Sequence, residues 1–304
     1  MGTSWSLRFD NPRMMALDEV GACVQGALDR VVVQMSTWEA DSAISRFNRS
    51  DACSRHVLDP EFAEVLACAL DWAAASEGAI DPSIGPLVAL WGFGAHAGSS
   101  AIVPPSPAAL AHARERVGWQ RLKFDFATRS LVQPGGVSLD LSGVAKGFAV
   151  VLGAAGLRTL GMTDFLFEVG GELRASGKRP DGQPWQVMIE ASTGTHLRIP
   201  LEDMAVATSG DRWHVCEHEG RRWSHTLDPR TGEPSIHALA SVTVLHRACM
   251  QADALATVLT VLGPREGPAF ARRHGIAALF VCRGADGPQR VASDRWPVPG
   301  DSAP

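Results

Sequence analysis

Apolar and polar positions alternate in distinct rhythms along the first half of this chain. Residues 3–9, TSWSLRF, alternate with period two and predict a strand. From about 16 to 36, Leu17, Val20, Val24, Leu28, Val31 and Val32 recur at helical spacing, and a second helix is expected over 60–76, ended by SEG. The polar stretch between them, STWEADSAISRFNRS, reads as a loop. The prolines of VPPSP (103–107) exclude regular structure there, and Ser106 is placed to cap the helix that follows. RLKFDFATRSLVQPGGVSLDL (121–141) predicts a hairpin of two alternating strands.

The second half is richer in strands. A helix begins near 143. FLFEVGGELRASG and PWQVMIEA read as strands about a glycine-rich turn, and MAVATSG, RRWSHTLDP and ALASVTVLH continue the pattern. QADALATVLTVLG is then a helix closed by Gly263, IAALFVC a late strand, and RWPVPGDSAP a loose end. Helices and strands come in blocks without a regular βαβ rhythm, which predicts an α+β fold. With no repeats and no linker, residues 1–290 read as one continuous unit, followed by a tail over 291–304.

Composition narrows the classes. The 304 residues are 45% hydrophobic and 20% charged, enough to bury a full core. A net charge of −5 argues against a sequence-independent grip on nucleic acid. No apolar run approaches the roughly 18–20 residues that span a bilayer. The first residues show no secretion signal, so the chain as written is expected to stay in the cytoplasm. A trimmed leader would instead put it in the periplasm or at a membrane. The six cysteines lack paired spacing and suggest neither a disulfide framework nor a zinc site. Tyrosine is absent, so aromatic contacts to a ligand fall to Trp, Phe or His.

Four stretches carry candidate chemistry. DLSGVAKG (140–147) fails the phosphate-loop pattern, because Gly143 stands only three residues before Lys146 and no hydroxyl follows the lysine. It still joins an acid, Asp140, to a helix start where Ser142 can cap and unpaired N–H groups favour an anion. The plain alternative is a capped helix with a surface lysine. In GAIDPSIGPLVALWGFG (78–94), Asp81 before Pro82 is held extended, its carboxylate free for a ligand or committed to a turn. His225 precedes the turn in SHTLDPRTGEP, placed as a base or as a structural residue. Asp253 and Thr257 stand four apart on one helix face, where two oxygens suit a hard cation.

Taken in order, MGTSWS, MSTWEADSAISRFN, GAIDPSIGPLVALWGFG, LDLSGVAKG, FEVGGELRASG, ATSGD, SHTLDPRTGEP and CMQADALAT resemble the ApbE-type FAD:protein FMN transferases from Met1 to about Gly263. The resemblance implies a T-fold-like unit of two lobes with FAD in the cleft between them. It implies Mg²⁺-dependent cleavage of the FAD pyrophosphate, release of AMP, and attachment of FMN by a phosphoester to a threonine. The partner would be a flavoprotein carrying a Ser/Asp-Gly-Ala/Ser-Thr target. FAD hydrolysis to FMN and AMP, or FAD binding without turnover, are the alternatives. By the same resemblance the metal ligands are the Gly143 carbonyl, Asp253 and Thr257. FAD contacts are Met1, Trp38, Ala79, Ile80, Asp81, Asp140, Lys146 and Leu227. Lys146, Asp253 and His225 are the catalytic set, with His225 activating the acceptor hydroxyl. Two residues depart from the family pattern. Trp38 replaces a usual tyrosine, and Met1 is the first residue where the family methionine lies well inside the chain.

Overall fold

The computed structural model describes residues 2–96, 104–192, 195–210, 215–218, 221–235, 237–284 and 287–297. The chain runs from β1 (Trp5–Phe9) through α1 (Leu17–Met35), α2 (Ala43–Asn48), β2 (Arg55–Val57), α3 (Pro60–Ala75), α4 (Gly85–Leu90) and α5 (Pro107–Arg114). The short strands β3 (Lys123–Asp125) and β4 (Ser130–Val132) precede α6 (Ala145–Thr159). Strands β5 (Phe165–Val169), β6 (Glu172–Ser176), β7 (Trp185–Ser192), β8 (Thr195–Leu201), β9 (Ala205–Gly210), β10 (Val215–His218) and β11 (Arg221–Ser224) follow. The chain ends with β12 (Leu227–Asp228), β13 (Glu233–Pro234), β14 (Leu239–His246), α7 (Cys249–Arg273), β15 (Ala277–Cys282) and β16 (Gln289–Ala292). This is an α+β fold, as the block pattern predicts. No helix among the described residues is long and apolar enough to cross a membrane.

The described residues gather into two compact units. One takes them from Leu28–Ala145 and Trp213–Ile236, the other from Gly2–Ala27, Lys146–Arg212 and His237–Pro304. The second unit is built on a seven-stranded sheet in the order β1-β5-β6-β9-β14-β15-β16, antiparallel at every pairing. Side chains alternate across such a sheet, so each strand feeds two cores. On one face Ala175, Val206, Leu245 and Leu279 pack against Trp185, Val187, Ile189, Ile199 and Leu201 of the β7–β8 hairpin. On the other face lie α6 and α7. A Cβ at Gly153 would sit 2.5 Å from the Phe167 ring, and one at Gly267 2.8 Å from Phe280, so small residues set how closely the helices approach. Burying each such Leu or Phe stabilises by about 1.5–3 kcal/mol.

The first unit holds α2 to α5, the three-stranded sheet β2-β4-β3 and the hairpins β10–β11 and β12–β13. Four expectations change. The polar stretch read as a loop contains α2, which Ser42 caps by accepting from the Ser45 N–H at 3.1 Å. The hairpin expected over 121–141 is only β3 with β4. Val137, Leu139 and Leu141 are buried in alternation, but the Leu139 N–H and C=O both bond the Asn48 side-chain amide, at 2.7 and 2.9 Å. A side chain therefore replaces the neighbouring strand, and among the described residues only an isolated bridge, Ile84 with Ser138, remains.

At Gly263 (φ 73°, ψ −171°) helical geometry does stop, yet helix resumes at Pro264 and runs to Arg273. His237 Nε2–H donates to the Thr260 carbonyl at 2.6 Å, satisfying one oxygen that the break leaves unpaired. The expected tail is partly structured as well. Residues 291 and 292 belong to β16, and Trp296 packs into the hairpin core at 5% exposure.

Candidate active site

In the second unit the first turns of α6 and α7 converge on the head of β6. Lys146, the second residue of α6, places Nζ 2.6 Å from Glu172 Oε1 and 3.7 Å from Asp253 Oδ1. Asp253 Oδ2 accepts the Gly147 N–H at 2.8 Å, so a carboxylate on α7 caps one of the N–H groups that α6 leaves unpaired. Gly147 allows this approach. A Cβ there would lie 2.5 Å from the Cys249 carbonyl oxygen and 2.7 Å from Asp253 Cβ. One turn beyond Asp253, the half-buried Thr257 brings Oγ1 within 3.5 Å of Ser209 Oγ on β9, the outer limit of a hydrogen bond.

The electrostatics follow from two carboxylates sharing one ammonium. Glu172 and Asp253 are only 3% and 2% exposed. Burial, with Asp253 beside it, pushes the Glu172 carboxyl well above the usual range, against the pull of Lys146. Burial works against the Lys146 ammonium too, but Asp253 and Glu172 outweigh it and raise its pKa above that of an ordinary lysine. Burial and the same two acids hold the Cys249 thiol protonated, so it behaves as packing. Glu172 Oε2 is buried with no hydrogen-bond partner. Among the described residues no group of three or more His, Cys, Asp and Glu is arranged around a metal position. The expected metal set, with one acid, one hydroxyl and one carbonyl, is of a different kind.

The first unit places the other expected residues. Ser142 was expected to cap α6; instead Asp140 Oδ1 accepts the Ser142 N–H at 2.8 Å, and the acid forms the turn. The Asp140 N–H is anchored on the Pro82 carbonyl at 2.9 Å, and Gly143 lies in the turn that follows. Ala79 and Ile80 are buried. Asp81, at 5% exposure, is committed to a turn. Its Oδ1 accepts the Ser83 N–H and hydroxyl at 2.7 and 2.6 Å, and its Oδ2 accepts the Trp119 N–H at 2.9 Å. Burial pushes this carboxyl up, while those bonds hold it down.

Trp38 stands 59% exposed in the loop before α2. Ser42 Oγ–H fixes that loop at the Ser36 carbonyl (2.7 Å), Arg49 at the Ala40 carbonyl (2.6 Å), and Arg46 at the Asp41 carbonyl. His225 is half-buried between β11 and β12. The Leu227 side chain belongs to a core with Leu87, Trp91 and Ala113. Met1 lies outside the described residues.

The sequence reading missed Glu172. Its signal was present, since a lysine in the first turn of a helix stands against the helix dipole and gains from a nearby counter-charge. FEVGGELRASG offers one acid at the head of a strand, next to a glycine pair.

The ApbE family model matches residues 1–280. The FAD:protein FMN transferase of Haemophilus influenzae is 37% identical over 94% of this chain and 86% of its own length. That of Vibrio cholerae is 35% identical over 97% and 89%. The crystal structure of the Pseudomonas stutzeri flavinyl transferase ApbE in its apo form matches with a TM-score of 0.89 at 38% identity, covering 97% of this chain and 92% of that one. With the family model spanning most of its length and relatives well above 30% identity, this chain belongs to the ApbE family.

Proposed function

We propose that this chain is a transferase that moves FMN from FAD to a protein, with threonine as the acceptor and AMP as the leaving group. The carrying observation is the Lys146 ammonium set against the buried acids Glu172 and Asp253, with Asp253 held on the Gly147 amide. Phosphoryl transfer asks a protein mainly for positioning and charge neutralisation, and such an arrangement supplies both. In the reaction the threonine oxygen bonds to the FMN phosphorus as the pyrophosphate bridge breaks. The bridging oxygen leaves with AMP, and the threonine proton passes to a base.

The donors in the second unit fit a hard cation. Among the described residues Asp253 Oδ1 has no polar partner closer than the 3.7 Å ammonium, Glu172 Oε2 has no hydrogen-bond partner, and the Thr257 hydroxyl is only weakly engaged. All are oxygens, which suits Mg²⁺. Asp253 and Thr257 would hold it, with the Gly143 carbonyl that the resemblance adds. Mg²⁺ when bound would polarise the phosphoryl oxygens and steady charge on the departing AMP. Lys146 offers a fixed positive charge to the pyrophosphate. His225 is the proposed acceptor of the threonine proton. Trp38, held exposed by its loop, offers an aromatic face to the flavin without a phenolic hydroxyl.

The test is incubation with FAD, Mg²⁺ and a peptide bearing the Ser/Asp-Gly-Ala/Ser-Thr target, read by mass spectrometry. Added FMN on the peptide threonine together with AMP is the expected result. Free FMN and AMP with an unmodified peptide would make the chain an FAD diphosphatase, with water attacking in place of threonine. Retained FAD with no AMP would make it a binding protein.

A further inference from the structure

Glu172 has no part in the residue set that the family resemblance supplies, yet it holds the closest contact in the site. A lysine placed between two carboxylates can pair with either. Lys146 pairs with Glu172 at 2.6 Å and stays 3.7 Å from Asp253 Oδ1, too far for a hydrogen bond. The Gly147 N–H meanwhile fixes the other Asp253 oxygen at 2.8 Å. The carboxylate of Asp253 is therefore oriented, and Oδ1 is left without a close partner.

We propose that Glu172 is a positioning residue that draws the Lys146 ammonium off Asp253 Oδ1 and so keeps that oxygen open to a divalent cation. This rests on the metal reading given above. The chemistry is competition for lone pairs. An ammonium hydrogen-bonded to Oδ1 would occupy the direction a cation needs and bring a like charge beside it. Glu172 can take this role because it is buried at the head of β6, where water does not compete for its carboxylate. Its second oxygen is buried with no hydrogen-bond partner, so the chain spends Oε1 on the ammonium alone.

The test is Mn²⁺ binding without FAD, followed by electron paramagnetic resonance, together with the metal-free crystal structure. Glu172→Asp keeps the charge and shortens the reach by one methylene, which separates positioning from a simple field effect. Its Mn²⁺ dissociation constant is expected to rise about tenfold or more, with Lys146 Nζ moved into hydrogen-bond distance of Asp253 Oδ1. Adding Lys146→Met to that variant removes the competitor and is expected to restore Mn²⁺ affinity. A Glu172→Asp variant that binds Mn²⁺ as tightly as the unmodified protein overturns the proposal, as does lost affinity with Nζ unmoved. If the unmodified protein itself takes up no Mn²⁺, the metal reading falls and this proposal with it. Should Glu172→Asp fail to fold, Glu172→Gln keeps the volume and puts a neutral amide oxygen in place of the charged acceptor, a weaker hold on the ammonium, and the same displacement of Nζ decides.

Discussion

Each of the two units buries acids, and it treats them in opposite ways. In the first, Asp81 accepts three hydrogen bonds, two from Ser83 and one from the Trp119 N–H, so both of its oxygens are engaged by the chain. In the second, Asp253 keeps one oxygen without a close partner, and Glu172 leaves one with none. Buried polar atoms are nearly always satisfied in folded proteins, because an unsatisfied one costs about 1–3 kcal/mol. Asp81 obeys that rule and is read as architecture. Glu172 breaks it, and Asp253 leaves Oδ1 with only the 3.7 Å ammonium, where two helix N-termini also converge. Burial alone does not separate a structural acid from a functional one; what separates them is how many lone pairs the chain leaves over.

Exchanging each acid for its amide should produce crossed effects, and this is the largest expected contrast. Asp253→Asn keeps an acceptor for the Gly147 N–H but removes the charge facing the proposed cation site. AMP release from FAD is expected to fall by about 10²–10³-fold, a loss like that of removing one group stabilising transition-state charge. Its thermal stability should stay near that of the unmodified protein. Asp81→Asn can keep the Ser83 bonds on its oxygen, but then turns an NH₂ toward the Trp119 N–H, donor against donor. Stability is expected to drop by about 1–3 kcal/mol in denaturant melts, since a buried donor is left unpaired. If Asp81→Asn abolished turnover in a fully folded protein, the structural reading of Asp81 would be wrong.

Gly147→Ala comes next and tests the close approach in the second unit. The added methyl would stand 2.5 Å from a backbone carbonyl and 2.7 Å from Asp253 Cβ, neither of which is the end of a flexible side chain. Overpacking of this kind costs about 1–3 kcal/mol. Because the strain falls on Asp253 itself, Mn²⁺ affinity should weaken along with melting temperature. Stability loss with unchanged Mn²⁺ affinity would detach the glycine from the site.

Much of the second unit was legible because its strands are apolar runs bounded by turn residues. FLFEV alternates buried and half-buried positions, while LASVTVLH and AALFVC carry nearly continuous buried runs of strand length. The first unit was harder to read. Val137, Leu139 and Leu141 alternate like a strand, but the partner is the side chain of Asn48, ninety-one residues away, and no periodicity encodes that. α2 was hidden because six residues are too few to show a helical period among polar neighbours. In the site, Asp253, Thr257 and Lys146 were visible through spacing and family likeness. Glu172 was not, because its meaning lies in a contact across the fold with Lys146 and in an oxygen left unpaired.

The smallest effects belong to hydroxyls, and they extend the contrast beyond the carboxylates. Ser83 Oγ–H donates to Asp81 and its oxygen accepts the Gly118 N–H at 2.7 Å, so it is fully used within the first unit. Ser83→Ala should cost about 1–2 kcal/mol of stability, from one lost bond and one stranded donor, with turnover at saturating FAD unchanged. Ser209 Oγ is only 3.5 Å from Thr257 Oγ1, a contact too long to hold the fold but close enough to orient the threonine oxygen. Ser209→Ala should leave the melt within about 0.5 kcal/mol of the unmodified protein, as for substitutions away from tight networks. It should instead raise the Mg²⁺ concentration needed for half-maximal AMP release by about two- to threefold, the loss expected when a neighbour that orients a ligand is removed. A larger shift than that of Gly147→Ala would make Ser209, rather than the helix approach, the main support of the threonine. Should Ser209→Ala lower stability and leave the Mg²⁺ requirement untouched, the second unit's hydroxyls would behave like those of the first, and the contrast would hold for carboxylates alone.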